Sequence, residues 1–184
     1  MTLMPSILVV SASPSEKSKT AALAQHVADR LTSMEMEARH LRLRDLPPEA
    51  LVRADTKNTQ IAEAAALLKD AHGVVLVTPT YKASYSGLLK VFLDLLPQYA
   101  LAGKAILPLA TGGTLAHALM LDYALRPVLH ALGARHSVQG HFVIESVLDP
   151  TSDGLITDAR YSEMLDQVVG QFDEAVKFAA KSVA

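Results

Sequence analysis

The apolar positions of this chain follow two periods, one typical of buried strands and one typical of amphipathic helices. Short apolar runs rich in β-branched residues predict strands at 6–11, 36–43, 73–78, 104–110 and 137–144. Apolar residues at helical spacing predict helices at 18–33, 58–71, 85–96, 115–132 and 157–182. The pattern therefore describes five successive βα units.

Residues 73–78 and 105–110, in two of the predicted strands, form apolar runs that do not alternate. Such strands have both faces covered, which is typical of a parallel sheet between two layers of helices. Five parallel strands suit the doubly wound order 2-1-3-4-5, in which ligands bind beyond the carboxyl ends of the strands. We therefore expect a three-layer α/β/α fold with a five-stranded parallel sheet, built as a single domain over residues 1–184.

Composition narrows the class of partner. The 184 residues include 17 Lys and Arg against 19 Asp and Glu, a formal net charge of −2. This balance argues against nucleic-acid binding, and no apolar run reaches the length of a membrane span. The lack of cysteine excludes disulfides, thiolate metal ligands and a cysteine nucleophile. A small-molecule ligand and a cytoplasmic location are the expectations.

Hydroxyl groups are concentrated in the first loop, between the strand 6–11 and the helix that follows. Ser13, Ser18 and Thr20 lie where free amide N–H groups and the positive end of a helix attract anions. The loop contains neither GxGxxG nor GxxxxGK[ST], so a monophosphate suits it better than a dinucleotide or a nucleoside triphosphate. Capping of the helix explains the same hydroxyls, and the residues alone leave both interpretations open.

Two further loops leave the carboxyl ends of predicted strands. The second loop, 79–87, contains Tyr81 and Tyr85, whose flat rings suit stacking on a planar ligand or packing in a subunit interface. The third loop, 110–114, contains two adjacent glycines, which permit close approach of a ligand's carbonyl edge or simply a tight turn. The three loops together indicate a site for a phosphate and a planar ring.

Three stretches of the chain in combination resemble the NAD(P)H-dependent FMN reductases of flavodoxin-like fold: Pro79 to Lys90, Leu93 to Pro97, and Leu107 to His117. They are most similar to the sulfonate-utilisation FMN reductases of two-component alkanesulfonate monooxygenase systems. The resemblance extends to about residue 145. It implies that NADPH reduces FMN as a freely exchanging substrate and that the reduced flavin passes to a monooxygenase.

The resemblance also assigns residues by position. It implies that Ser13, Ser18 and Thr20 hold the phosphate of FMN. The residues that it places around the flavin ring come from the second and third loops: Pro79, Thr80, Tyr81, Lys82, Ser84, Thr111, Gly112, Gly113 and Thr114. No catalytic acid and no metal site are expected, because the cofactors carry the hydride chemistry.

The helix 115–132 has two interpretations. In the sulfonate reductases an inserted tyrosine forms a π-bulge at the subunit interface near the flavin, and Tyr123 occupies the matching place. Pro127 by itself predicts only a proline-kinked helix. Surplus apolar surface on this helix and on 85–96 predicts a homodimer or homotetramer.

The chain departs from the family pattern in the first loop. Many relatives carry Gly-Ser-x-Arg where this chain has Ala12 to Ser15, so Lys17 or Lys19 is expected to replace the arginine at the phosphate. No clamp for a 2′-phosphate separates NADPH from NADH. Two other functions fit the same fold: a quinone, azo or metal-ion reductase with tightly bound FMN, and a flavodoxin-like electron carrier.

Overall fold

The computed structural model describes residues 4–152 and 154–181 and consists of one sheet between two layers of helices. The strands are β1 Ser6–Ser11, β2 Glu37–Arg42, β3 Gly73–Tyr81, β4 Ser84–Tyr85, β5 Ala105–Gly112, β6 His136–Ser137 and β7 His141–Ile144. The α-helices are α1 Lys19–Ser33, α2 Pro48–Val52, α3 Thr59–Asp70, α4 Gly87–Asp94, α5 Arg126–Ala131 and α6 Ala159–Lys181. A π-helical turn occupies Leu121–Leu125, and 3₁₀ turns occupy Leu43–Asp45, Leu115–His117 and Glu145–Val147.

The sheet has the order β2-β1-β3-β5-β6, with β7 also paired to β5 and β4 paired to β3. Every pair is parallel except the β3–β4 hairpin. The expected parallel α/β architecture is therefore confirmed. The expectation of five strands in the order 2-1-3-4-5 is wrong in count, because β4 is added and the fifth position is divided between β6 and β7.

Pro108 explains why the fifth position is divided. β6 pairs with residues of β5 before Pro108, and β7 pairs with residues after it. The Ile106 carbonyl accepts a hydrogen bond from the Val138 N–H at 3.0 Å. Groups two residues apart on a strand face the same neighbour, so Pro108 turns a nitrogen without a hydrogen toward this strand. The ladder is interrupted opposite Pro108 because a proline cannot donate to it.

Alternate residues of the central strands pack into two separate cores. Ile7 and Val9 of β1 belong to the cluster formed with α1 and α6. Leu8 and Val10 face the opposite layer, with α3, α4 and the π-helical turn. Burial on both faces accounts for the uninterrupted apolar runs of the strands. In the described part of the chain, no helix combines the length and the apolar character that a bilayer span requires.

Helix boundaries follow local capping. Ser18, Asn58 and Ser86 precede α1, α3 and α4, and each side-chain oxygen accepts a backbone N–H of the first turn. The predicted helices 18–33, 58–71 and 85–96 are confirmed to within two residues at each end. The last helix begins at Ala159, and its predicted end at residue 182 lies outside the described residues. The short helix α2 was not predicted.

Candidate functional site

The three predicted loops lie at one edge of the sheet, beyond the carboxyl ends of β1, β3 and β5. These strands are parallel neighbours, so their ends coincide. The Ala12 N–H continues the ladder by donating to the Val77 carbonyl at 2.9 Å. This edge is where a doubly wound sheet binds its ligand.

The first loop presents backbone donors without protein partners. In the part of the chain that the structure describes, the N–H groups of Ser13, Glu16, Lys17 and Ser18 form no hydrogen bond with the protein. Ser13 is only 5% exposed, so its N–H is a buried donor with unmet hydrogen-bonding capacity. Free amides at the start of a helix attract anions. A phosphate fits this loop.

The predicted phosphate residues differ in how they are held. The Ser18 hydroxyl accepts the Ala21 N–H at 3.0 Å and keeps its own hydrogen free to donate. The Thr20 hydroxyl is buried and lies 2.7 Å from the Thr111 hydroxyl. Ser18 therefore combines helix capping with a free donor, whereas Thr20 connects the first loop to the third.

The two candidate lysines of the first loop are not equivalent. Lys19 Nζ donates to the Glu145 carbonyl at 2.7 Å and ties the start of α1 to the segment after β7. The Lys17 side chain is exposed. Lys17 is therefore the cation left available to replace the arginine of the relatives.

The second loop is a tight hairpin between β3 and β4. Tyr81 pairs with Ser84, and the two residues between them, Lys82 and Ala83, have φ of 50° and 61°. Two successive left-handed residues match a type I′ turn, which normally carries Asn-Gly. Because neither residue is glycine, the turn is strained, and Tyr81 and Lys82 are held exposed beside the loop edge.

One of the residues predicted to line the flavin ring, Thr80, has a buried polar atom without a partner in the described part of the chain. Thr80 Oγ1 is buried and has no hydrogen-bond partner among the described residues. It lies beside Gly112, where an added Cβ would come within 3.3 Å of the Thr80 Cβ and 2.7 Å of the Phe142 ring. An orphaned hydroxyl at this edge is a donor that a flavin carbonyl would satisfy.

The two glycines of the third loop serve different purposes. Packing against Phe142 requires glycine at position 112. A Cβ on the exposed Gly113 would meet nothing within 4 Å, and neither glycine has positive φ. The alternative of a tight turn therefore does not account for Gly113. Thr114 caps the following 3₁₀ turn by accepting the Ala116 N–H.

A buried hydroxyl pair joins the first two loops. Ser86 Oγ donates to the Ala12 carbonyl at 2.6 Å, and the Ser86 N–H donates to Thr78 Oγ1 at 2.9 Å. Pro79 follows Thr78 and is buried. Neither Ser86 nor Thr78 was expected at the site, although a serine directly before an apolar helix is a signal for a cap.

The helix 115–132 is not continuous. The Arg126 N–H bonds to the Leu121 carbonyl, five residues back, in the turn that contains Tyr123. In an α-helix the ring of Pro127 would crowd the carbonyl four residues back, at Tyr123, and the wider turn relieves this clash. The proline-kinked helix is therefore wrong as a description, and the π-helical geometry implied by the resemblance is confirmed, while its place at a subunit interface near the flavin stays a prediction. Tyr123 is 79% exposed.

A family model, NADPH-dependent FMN reductase, matches residues 5–149. The chain belongs to this family. The protein is accordingly an NAD(P)H-dependent FMN reductase, with FMN and NADPH as its cofactors. The FMN reductase (NADPH) of Escherichia coli strain K12 is 41% identical over 140 residues, which cover 76% of this chain and 73% of the relative.

Solved structures of similar proteins support the assignment of this reductase to the family. The apo form of an NADH:FMN oxidoreductase (EMOB) superposes with a TM-score of 0.85 at 45% identity, covering 92% of this chain and 88% of that one. A Streptococcus pneumonia TIGR4 flavodoxin superposes with a TM-score of 0.62 at 16% identity, covering 94% and 99%. The second likeness concerns the fold alone, which is flavodoxin-like.

Proposed function

We propose that the reductase treats FMN as a freely exchanging substrate, reduces it with NADPH or NADH, and supplies the product to a two-component alkanesulfonate monooxygenase. The observation that carries this proposal is the exposure of four of the nine residues assigned to the ring. Tyr81, Lys82, Gly113 and Thr114 are all exposed. A ring held at an open edge can leave after reduction, whereas an electron carrier must retain its flavin.

In this proposal the phosphate binds to the free amides of the first loop. The Ser18 hydroxyl donates to it, and Lys17 supplies positive charge. The side chains of Ser13 and Thr20 support the loop, because Ser13 Oγ accepts the Ser15 N–H at 3.3 Å and Thr20 contacts Thr111. In this arrangement the phosphate lies at the first loop, and the ring lies at the second and third loops.

The ring lies between the second and third loops. Pro79 and Thr80 form its floor, Tyr81, Lys82 and Ser84 flank it, and Thr111 to Thr114 face its polar edge. Bound FMN supplies the hydride acceptor, and NADPH supplies the hydride. The Thr80 hydroxyl and the Gly113 N–H offer donors to oxygen atoms on which negative charge accumulates.

The supply of a monooxygenase rests on the resemblance to the sulfonate reductases, supported by the π-helical turn around Tyr123. We propose that residues 1–184 act as one domain, because both cores pack on the same sheet. A cytoplasmic location belongs to the same proposal, since NADPH and exchanging FMN are intracellular metabolites.

A homodimer or homotetramer is also part of the proposal. Leu115, Leu119 and Tyr123 recur at intervals of four residues with exposures of 53%, 62% and 79%. Separately, α4 and α5 border an apolar groove of about 400 Å³. Exposed large apolar residues and an apolar groove both favour burial against another copy. Light scattering at micromolar concentration is the direct measurement, and a stable monomer would contradict it.

The function is tested by the colour and turnover of the purified reductase. We expect a colourless protein whose NADPH oxidation requires added FMN and no other acceptor. Addition of an FMNH2-dependent alkanesulfonate monooxygenase should then couple NADPH oxidation to sulfonate consumption, and chemically reduced FMN serves as the positive control for that partner.

The alternatives give different results in the same assay. A yellow protein that reduces quinones without added FMN would identify a reductase with tightly bound flavin. A flavin-binding protein with no NADPH oxidation would identify an electron carrier. Turnover of free FMN without coupled sulfonate consumption would contradict the proposed monooxygenase partner and would leave the FMN reductase activity in place.

A further inference from the structure

Ser86 holds a peptide of the first loop although it belongs to the second. Its side chain is buried, and Oγ lies 2.6 Å from the Ala12 carbonyl, to which it donates. The same oxygen accepts the Leu89 N–H at 3.2 Å as the cap of α4. The Ser86 N–H is fixed in turn by Thr78 Oγ1. The hydroxyl therefore has a defined position and one hydrogen to donate.

The orientation of the Ala12–Ser13 peptide follows from this contact. A trans peptide is planar, so its C=O and its N–H point in opposite directions. The Ala12 carbonyl points to Ser86, and the Ser13 N–H therefore points away from the second loop. That N–H has no protein partner in the described part of the chain, although Ser13 is buried.

We propose that Ser86 is a positioning residue for phosphate recognition: its hydroxyl holds the Ala12 carbonyl so that the Ser13 N–H faces the phosphate of FMN. This inference rests on the proposed phosphate site in the first loop. Without the hydroxyl, the peptide can rotate and present its carbonyl oxygen to an anion. Ser86 itself does not touch the flavin in this arrangement.

The phosphate makes the test specific, since riboflavin has the same ring without it. For Ser86→Ala we expect the KM for FMN to rise about tenfold, the scale of one hydrogen bond to a charged group, with the riboflavin KM changed less than about twofold. The kcat at saturating flavin should stay close to that of the wild type. Ser86→Thr, which keeps the hydroxyl, should restore the KM for FMN.

A cap mutation elsewhere separates positioning from stability. Asn58 caps α3 through two N–H contacts and lies outside the three loops, so Asn58→Ala loses a cap of the same kind. Its ratio of FMN to riboflavin KM should equal that of the wild type. If Ser86→Ala does not fold, Ser86→Cys provides nearly the same shape with a much weaker donor and should show the same selective change.

The possible outcomes separate the role of Ser86 from the proposed phosphate site on which that role rests. Equal increases in KM for both flavins, or an equal change in Asn58→Ala, would overturn the role of Ser86 and leave it as a cap. A wild type that uses FMN and riboflavin equally well would instead overturn the phosphate site of the proposed function. A selective loss for FMN that Ser86→Thr restores supports both.

Discussion

Thr20 Oγ1 and Thr111 Oγ1 lie 2.7 Å apart, and both side chains are buried. Thr20 is in the first turn of α1 and Thr111 is near the end of β5, so this contact fixes the spacing between the phosphate loop and the ring loop. One hydroxyl donates in the contact, and the other retains its hydrogen for a further partner. The pair connects the two halves of the proposed flavin site.

The first prediction concerns this pair. Thr20→Val and Thr111→Val should each lower the free energy of unfolding by about 1–3 kcal/mol, because each leaves one buried hydroxyl without a partner. The double variant should lose clearly less than the sum, since both polar groups are then removed together. Urea unfolding of the four proteins measures the coupling. Strict additivity would show that the contact contributes nothing of its own.

The second prediction concerns Ser18. Ser18→Ala should weaken FMN binding by at least about tenfold, because a hydrogen bond to a charged group is worth roughly 1.5–3 kcal/mol. It should also lower the free energy of unfolding by about 1 kcal/mol through loss of the cap on α1. Titration with FMN and with riboflavin measures the effect on phosphate binding, and unfolding without flavin measures the effect on stability. Equal losses for both flavins would place the phosphate elsewhere.

The third prediction concerns the strained hairpin. Ala83 has φ of 61°, and Ala83→Gly should raise the free energy of unfolding by roughly 0.5–1 kcal/mol by relieving the left-handed strain. Ala65→Gly, in the middle of α3, is the matched control and should lower it by about 1 kcal/mol. Thermal unfolding of both variants is sufficient. A destabilised Ala83→Gly protein would mean that the side chain contributes more by its contacts than it costs in strain.

The fourth prediction concerns Tyr123. Deletion of this residue should convert the π-helical turn to a proline-kinked α-helix and close the flavin site against exchange. The deletion variant should purify yellow with retained FMN and lose turnover of added FMN. Absorbance in the flavin bands and NADPH oxidation provide the two measurements, and Tyr123→Ala is the control that removes the ring but keeps the extra residue. A colourless deletion variant with normal turnover would leave Tyr123 as a surface residue.

The fifth prediction concerns pH. Burial lowers the pKa of His141 below its ordinary 6.5, and its Nε2 has no hydrogen-bond partner among the residues that the structure describes. The unfolded chain therefore binds a proton that the folded chain resists, so stability is fully present above pH 6.5 and is lost as the pH falls from there toward the folded pKa. His141→Leu should flatten this part of the curve of unfolding free energy against pH. An unchanged slope in His141→Leu would assign the loss to other groups, such as the half-buried His26 and His40, whose pKa values burial also lowers.

The amino-acid sequence by itself determined the layer architecture and the location of the candidate site. The apolar runs of β3 and β5 require cover on both faces, and this requirement alone implies a parallel sheet between helices. The loops follow strand ends, so chain order placed Ser18, Thr80 and Gly113 at one edge. Local signals also predicted most helix starts, since a serine or asparagine cap acts within three residues.

Only the tertiary structure decided which hydroxyls are free and which are engaged. Ser86 and Ala12 are 74 residues apart in the chain, and Lys19 and Glu145 are 126 apart, so no local pattern contains either contact. The division of the fifth strand depends on which neighbour Pro108 faces, a property of sheet pairing. The π-helical turn likewise depends on how the chain relieves the crowding by Pro127 while keeping Leu121 and Leu125 in the core. Local sequence specifies elements, whereas the partners of each polar group are fixed only when distant strands and helices pack together.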